Sequence, residues 1–234
     1  MRGNLFKESF NLKESQCTIV SDLHEAIVTA KESINRNYRV LELYVRRNPR
    51  FLYTLTPIPI PDKPLVAKMM AEAAQKTGVG PMAAVAGALA DIAVQDMLET
   101  GCGVAVVEDG GEIMAVSNQI VDVAVAAGEE LLSKRFGFRL TDFPIAIATS
   151  SGMFSHAFSF GAAEVATVFC KNASLADAAA TAVGNLVKGD DAQTGIEAGL
   201  RKALSIDGVE GVLVIYKGKV GTAGKIPQMI RVEP

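Results

Sequence analysis

The sequence predicts an α+β fold in which helices cover an antiparallel sheet built from two related halves. Residues 82–116 are typical of a helix, a glycine break, an apolar strand, a Gly-Gly turn and a returning strand. The same order recurs over 175–224 with an inserted loop and helix, and the repeat is clearest between GVAVVEDGGEI and GVLVIYKGKVG. These glycine turns join strand to strand, and no G-x-G-x-x-G follows a first strand, so a parallel Rossmann-type sheet ranks lower.

Length and composition bound the class of protein. The chain has 234 residues, a formal net charge of −3 and no tryptophan, so neither a basic surface nor a stacking platform indicates a nucleic-acid partner. Three widely spaced cysteines without a Cys/His cluster argue against structural zinc and fit reduced thiols. No secretory signal is evident, and no apolar run reaches the roughly 18 residues of a membrane span.

From these limits we expect one cytoplasmic domain over residues 1–234, without a membrane partner. Residues 1–62 form its N-terminal portion and connector, and residues 63–234 form its core. We also expect a homo-oligomer, because alanine-rich helices and strand edges pack well against copies of themselves.

The N-terminal portion carries one strand and one long helix. Residues 2–10 show no clear pattern and are expected to be ragged, whereas the β-branched Gln16–Ser21 predicts a strand. Asp22, with Glu25 three residues later, predicts a capping box at the start of a helix over about 23–45.

The remaining elements follow from proline and glycine punctuation and from apolar periodicity. They are, in order, a four-proline connector over 54–64, helices over 63–76 and 82–98, strands over 104–107 and from 112 to 116, a helix over 121–135 that could begin as a strand, strands over 145–149 and 163–170, a helix over 175–187 capped by Ser174, a helix over 196–204, and strands over 211–216 and from 220. Gly87 interrupts the helix over 82–98 at a cost of about 1 kcal/mol relative to alanine. We therefore expect close packing or the close approach of a ligand there.

Two clusters suggest chemistry without assigning it. Asp177 and Thr181 lie at i and i+4 on one helix face, and a carboxylate with a hydroxyl is a partial shell for Mg²⁺. The structural alternative is that Asp177 complements the N-terminus of its own helix and that the Thr181 hydroxyl donates to a backbone carbonyl. Glu108, Asp109 and Glu112 surround two glycines and could hold a metal or ribose hydroxyls, or could form an ordinary solvated turn. No catalytic group is assigned, since Ser150, Ser151 and His156 lack a nucleophile elbow.

Several segments, in this order, resemble motifs of the ApbE superfamily, the FAD:protein FMN transferases also called thiamine biosynthesis lipoproteins. That family carries a G-G-x-A-K-G-x-x-x-D helix, an N-x-G-G-D-I turn, an A-T-S-G-D-Y segment, a later histidine and an A-D-A-L-A-T-A-L helix. The matching segments here are Met82–Asp91, Glu108–Ile113, Ala148–Phe154 with His156, and Ala176–Val183. The chain is most similar to a short, uncharacterised cytosolic branch of the superfamily in archaea and bacteria.

The resemblance implies a T-fold-like α+β architecture of two related halves around a nucleotide-sized cleft. It also implies that Asp177 and Thr181 bind Mg²⁺. The ligand-binding positions that follow from the matched motifs are Gly87, Asp91, Glu108, Gly110, Gly111, Glu112, Ser151, Gly152 and His156.

The chain departs from the family pattern at positions that matter for charge. Ala86 replaces the family's lysine, Glu108 its asparagine, and Met153 its aspartate after Ser-Gly. A lost cation and an added carboxylate weaken binding of an anionic pyrophosphate, so these departures argue against FAD binding and FMN transfer in the usual mode. The expected function is binding of another small ligand, a nucleotide or flavin with Mg²⁺, in a reaction not assigned. The alternative is a non-catalytic structural or interaction protein on the same fold.

Overall fold

A computed structural model describes residues 5–13, 15–124, 136–151 and 163–231. The strands are β1 (Phe6–Leu12), β2 (Ser15–Ser21), β3 (Val104–Asp109), β4 (Glu112–Ser117), β5 (Val121–Ala124), β6 (Phe136–Leu140), β7 (Ile145–Ser150), β8 (Val165–Cys170), β9 (Val209–Tyr216), β10 (Lys219–Gly224) and β11 (Gln228–Arg231). The helices are α1 (His24–Arg47), α2 (Pro49–Tyr53), α3 (Leu65–Thr77), α4 (Val85–Glu99), α5 (Ala173–Gly184) and α6 (Ala192–Leu204), and a 3₁₀ turn, Pro81–Ala84, leads into α4.

The main sheet has eight strands in the order β1-β2-β3-β4-β7-β8-β9-β10, and every neighbouring pair is antiparallel. Its first four strands are two hairpins separated in sequence by α1–α4, and its last four are two hairpins separated by α5 and α6. The two groups of strands meet where β4 pairs with β7, from Ile113 opposite Ile147 to Ala115 opposite Ile145. The α+β fold with antiparallel sheets and covering helices is thus confirmed.

Side-chain alternation along the strands builds a different core on each face of the sheet. On one face, Ala105 and Val107 of β3 pack with the helices. On the other face, Val104 and Val106 pack with a second, three-stranded sheet in the order β11-β6-β5. Phe138 of β6 closes that second core edge-to-face on Phe169, with ring centroids 4.9 Å apart. The sequence does not predict β6 or β11, because strands of four or five residues show little periodicity.

Helix α4 lies inside the helical layer, which explains its apolar composition. Residues Pro81–Glu99 are long and apolar enough to cross a membrane by length and composition alone. They pack against α1, α5, β3 and β4, and nine residues of α4 are buried. Their apolarity is accounted for by the core of the domain.

Three local predictions were wrong. Strand β1 begins within residues 2–10, the stretch expected to be ragged, and only its last side chain, Leu12, is buried. Asp22 does not cap α1, which begins after Leu23 without a side-chain cap. Instead its carboxylate accepts hydrogen bonds from the backbone N–H groups of Gly103 (3.0 Å) and Val104 (2.9 Å), and so fastens the start of β3.

The third correction concerns α5. Its N-cap is Asn172, whose side chain accepts from the N–H of Leu175, and Ser174 already lies inside the helix. The region expected to be helical from residue 121 begins as the strand β5, and residues 125–135 lie outside the described part of the chain. The long helix α1 and the Gly-Gly hairpin between β3 and β4 are confirmed.

Candidate functional site

The close approach expected at Gly87 is an approach between two helices. A Cβ atom at Gly87 would lie 2.2 Å from the carbonyl oxygen of Ala173 and 2.8 Å from the backbone nitrogen of Ser174. Only glycine therefore lets the first turn of α4 lie directly against the first turn of α5. This contact gives Gly87 a packing role that requires no ligand.

Asp91 of α4 binds the N-terminus of α5. Its two carboxylate oxygens accept from the N–H groups of Ala173 (2.6 Å) and Ser174 (2.9 Å), and from the Ser174 hydroxyl (2.8 Å). Burial raises the pKa of Asp91, and these three hydrogen bonds oppose the rise. Asp91 thus accepts hydrogen bonds from N–H groups at the start of α5 that have no partner within their own helix.

Asp177 of α5 makes the reciprocal contact. Its Oδ2 accepts from the backbone N–H of Gly87 at 3.0 Å, in the first turn of α4. Burial, with smaller contributions from the charges of Asp109 and Asp91, raises the pKa of Asp177 to about 7, against hydrogen bonds from Gly87 and Ala86. Each helix therefore carries the carboxylate that stabilises the other helix's positive end.

The acidic turn between β3 and β4 lies close to Asp177. Gly110 and Gly111 both have positive φ, +66° and +111°, which explains why glycine occupies both positions of this two-residue turn. Asp109 and Glu112 are register partners across the turn. Burial, then the charges of Asp177 and Asp109, raise the pKa of Glu112 well above its usual range.

Glu108 does not belong to this cluster, contrary to the expectation of a three-carboxylate group. Successive side chains of a strand point to opposite faces, so Glu108 lies on the face of Val104 and Val106 while Asp109 lies on the helical face. Burial raises the pKa of Glu108, and a hydrogen bond with Thr18 partly opposes that rise.

Asp109 is anchored by the first hairpin. It is only 2% exposed, and its Oδ1 accepts from the Ser15 hydroxyl at 2.7 Å and the Cys17 thiol at 3.1 Å. Burial raises its pKa, and both hydrogen bonds oppose the rise. The cluster on the helical face is therefore Asp109, Glu112 and Asp177, contributed by β3, β4 and α5.

The side-chain oxygens of Asp177 and Thr181 suit a hard cation that keeps most of its water ligands. Asp177 and Thr181 stand one turn apart on α5, and both are only partly buried. Within residues 5–13, 15–124, 136–151 and 163–231, no group of three His, Cys, Asp or Glu side chains converges in the manner of a metal cage. Two protein oxygens completed by water are a common arrangement for Mg²⁺, so the donor set fits that ion.

A pocket of about 380 Å³ opens beside this cluster, between the first hairpin, α1 and the first turns of α4. Its lining comprises Leu12, Lys13, Ser15, Tyr38, Val85, Ala86, Leu89 and Asp109. The volume lies in the range of small-ligand sites, and the lining combines apolar side chains with a few polar groups. The candidate site is this pocket together with Asp177 and its neighbours.

Lys13, Ser15 and Tyr38 were not anticipated. Lys13 lies in the same pocket as Ala86, so a cation from the first hairpin lines the pocket in which the family's lysine is absent. Nothing in the local sequence signals this, because the contact depends on how β1 and β2 pair over α1 and α4. Recognising the hairpin from Leu12 opposite Ser15 would have been the first step.

Three further predicted positions lie at or just beyond the end of the described range 136–151. Ser151 follows β7 directly and is buried. Gly152 and His156 lie outside the described residues. The assignments of all the ligand-binding positions stay predictions.

Comparison with known proteins gives the family. Residues 4–220 match the family described as AbpE bacteria. A UPF0280 protein of Methanococcus vannielii is 38% identical over 234 residues, covering 98% of this chain and 94% of the relative. The chain belongs to the ApbE superfamily. A UPF0280 protein of Methanosarcina acetivorans is 37% identical over 231 residues, covering 97% of this chain and 90% of the relative.

Solved structures of the superfamily share the fold. The apo flavinyl transferase ApbE of Pseudomonas stutzeri is 14% identical, covers 94% of each chain and has a TM-score of 0.61. The flavin transferase ApbE of Vibrio cholerae is 13% identical, covers 94% of this chain and 97% of its own, and has a TM-score of 0.53. At these identities the likeness establishes the ApbE fold, and the resemblance inferred from the sequence motifs is confirmed.

Proposed function

We propose that this ApbE-like protein binds a small nucleotide or flavin together with Mg²⁺, with the metal held by Asp177 and Thr181. The observation that carries the proposal is the pocket of about 380 Å³ at the start of α4, whose wall includes Asp109. Asp109 connects the ligand pocket with the metal position, because it lines the pocket and its charge acts on Asp177. The reaction is not assigned.

The electrostatics of the cluster support a cation. Asp177, Glu112 and Asp109 all have raised pKa values, with burial as the main cause; for Asp177 and Glu112, neighbouring carboxylate charges also contribute. A divalent cation beside Asp177 offsets both causes at once, since it replaces lost solvation and screens like charges. When bound, Mg²⁺ would supply a Lewis acid that polarises a phosphoryl oxygen.

Flavins are included among the candidate ligands because of what the solved structural neighbours are, whereas two substitutions in this chain argue against the transfer reaction. Both neighbours are described as flavin or flavinyl transferases. With Ala86 in place of a cation and Glu108 in place of an amide, we do not extend FMN transfer to this chain. We further propose that it acts in the cytoplasm, as a homo-oligomer, without nucleic-acid or membrane partners.

Thermal unfolding and calorimetric titration with ADP, AMP and FMN, each with and without Mg²⁺, test the proposal. Free ligand at 100 times its Kd stabilises the folded state by about 2.7 kcal/mol, a shift of roughly 5–10 °C for a chain of this size. We expect the Mg²⁺-dependent part of the shift to disappear in Asp177→Asn and Thr181→Val. Asp207→Asn, whose side chain is 98% exposed, is the matched control and should behave as the wild type. No shift with any ligand, with or without Mg²⁺, would refute the proposal.

One observation favours the non-catalytic alternative. Asp177 and Asp91 already have full structural roles as partners of helix N-termini. If those roles are their only ones, Thr181→Val leaves every ligand titration unchanged, while Asp177→Asn lowers stability alone. Native mass spectrometry of freshly purified protein adds a direct readout, because it reports both the assembly state and any co-purifying ligand.

A further inference from the structure

The positive charge that faces the pocket comes from the first hairpin rather than from the helix end. The N–H of Gly87 in the first turn of α4 bonds Asp177, and the N–H of Ala86 also contributes to holding that carboxylate. A helix N-terminus can bind an anion only through N–H groups that are still available. The protein's own carboxylate therefore occupies the anion site that α4 would otherwise present.

Lys13 is placed to take over that role. Among the described residues that line the pocket, it carries the one cationic side chain. Leu12 pairs with Ser15, so Lys13 lies at the tip of the first hairpin, with a left-handed φ of +53°. Its Nζ lies 4.8 Å from the centre of the Tyr38 ring, a cation–π contact between two residues that both line the pocket.

Glu42, the ion-pair partner of Lys13, has other cations nearby. Lys13 forms an ion pair with Glu42 of α1, and it lowers the pKa of Glu42. Arg46 and Arg39 lower that pKa further, so both arginines lie within electrostatic reach of the same carboxylate. Lys13 can therefore turn towards a bound anion while Glu42 keeps a cationic neighbour one helical turn away.

The rest of the lining defines the body of the ligand. Val85 and Leu89 of α4 and Leu12 of the hairpin supply the apolar part of the lining, and Ser15 and Asp109, joined by a hydrogen bond from the Ser15 hydroxyl, supply a polar part. A volume of about 380 Å³ is at the lower end of ligand pockets. It suits one ring system with a sugar-sized polar part better than two ring systems joined by a pyrophosphate.

We propose that Lys13 is the residue that recognises the anionic group of the ligand, and that the ligand class is a mononucleotide whose ring lies on the apolar floor of the pocket. This inference rests on the proposed function, since it assigns the ligand class and one determinant of specificity to the same site. It differs from that function in requiring neither Asp177 nor Mg²⁺.

Matched ligand pairs that differ by one phosphate test it: AMP against adenosine, and FMN against riboflavin, titrated without Mg²⁺. The wild type should bind the phosphorylated member of at least one pair about tenfold more tightly or better, as one charge-assisted contact predicts. Lys13→Gln should abolish that preference and leave the affinity for the uncharged member unchanged. Glu42→Gln, which releases Lys13 from its ion pair, should strengthen binding of the phosphorylated member.

Controls separate this inference from the proposed function. Lys7→Gln removes an exposed lysine of the same hairpin that does not line the pocket, and should match the wild type. A phosphate preference that survives in Lys13→Gln overturns the role of Lys13 and leaves the proposed function standing. If the wild type binds no member of either pair, the inference falls, and the proposed function falls with it when ADP also fails to bind with and without Mg²⁺. Because Lys13 is largely exposed, with 55% of its side-chain surface accessible, we expect Lys13→Gln to fold normally.

Discussion

Replacing Gly87 by alanine should destabilise the protein, although the same change in an open helix stabilises it. In an unhindered helix interior, Gly→Ala gains about 1 kcal/mol. At Gly87 the new Cβ would lie 2.2 Å from the carbonyl oxygen of Ala173, where ordinary contacts begin at 3.4 Å. The first turns of α4 and α5 would therefore have to separate by about 1.2 Å, the difference between those two distances.

A separation of that size breaks the hydrogen bonds that join the two helices. The bonds from Gly87 to Asp177 and from Ala173 and Ser174 to Asp91 are 3.0, 2.6 and 2.9 Å long. Bonds to charged groups contribute roughly 1.5–3 kcal/mol each, and overpacking costs about 1–3 kcal/mol where the structure yields instead. The higher helix propensity of alanine offsets about 1 kcal/mol of this cost. We therefore expect Gly87→Ala to lower the free energy of unfolding by about 3 kcal/mol.

Urea unfolding followed by circular dichroism measures this quantity. Gly184→Ala in α5 is the matched control, because its Cβ would lie 3.2 Å from the Ser150 Oγ, which can rotate away, and at ordinary contact distances of 3.5 and 3.9 Å from the Cβ atoms of Ser150 and Ala166. The control should lie within about 1 kcal/mol of the wild type. A Gly87→Ala protein as stable as the wild type, with an unchanged denaturant slope, would refute the close-approach explanation and return Gly87 to the list of ligand contacts.

Three further predictions follow from the same structure. Asp177 has a pKa of about 7 in the folded protein against an ordinary 3.8, so its ionisation opposes folding: the penalty is absent below about pH 4, grows as the pH rises and is complete above 7. Metal-free protein should therefore be more stable to urea at pH 5 than at pH 8, and Asp177→Asn should reduce that difference; an unchanged difference contradicts the assignment. Asp22→Ala should cost about 1–3 kcal/mol by leaving the N–H groups of Gly103 and Val104 unpaired, and amide exchange should accelerate at those two residues while the first turn of α1 stays as in the wild type. Phe138→Ala should lower the free energy of unfolding by about 3–5 kcal/mol by opening a cavity between the two sheets. A decrease below about 1 kcal/mol, measured by calorimetry, would contradict the packing described.

Much of the fold could be predicted because its signals are local. The 24-residue helix α1 and the apolar strands β3, β8 and β9 follow from periodicity, and the Asp109-Gly110-Gly111 turn follows from backbone chemistry. Strand β1 could not be read in this way, since FKESFNL buries only its last residue and derives its structure from pairing with β2. Short strands of the second sheet are likewise determined by their partners.

The candidate site was less predictable, for two different reasons. The separation of Glu108 from Asp109 was available from the sequence, because a strand period of two places neighbours on opposite faces. The mutual contacts of Asp91 and Asp177 were not, since they join residues 82 to 90 positions apart and exist only once two helix ends meet. The same holds for Lys13, which reaches the pocket through tertiary packing of a hairpin tip.

The exchange of carboxylates between α4 and α5 also bears on how the two halves of the molecule depend on each other. Within the described part of the main sheet, the halves are joined by three paired positions where β4 meets β7, from Ile113–Ile147 to Ala115–Ile145. On the helical side, each half provides the counter-charge that the other half's helix needs. Separated fragments would each expose an uncompensated carboxylate and an unsatisfied helix end, so neither should hold its structure alone. The domain is thus expected to open and close as one cooperative unit, with amide protection in α4 and α5 lost together rather than in sequence.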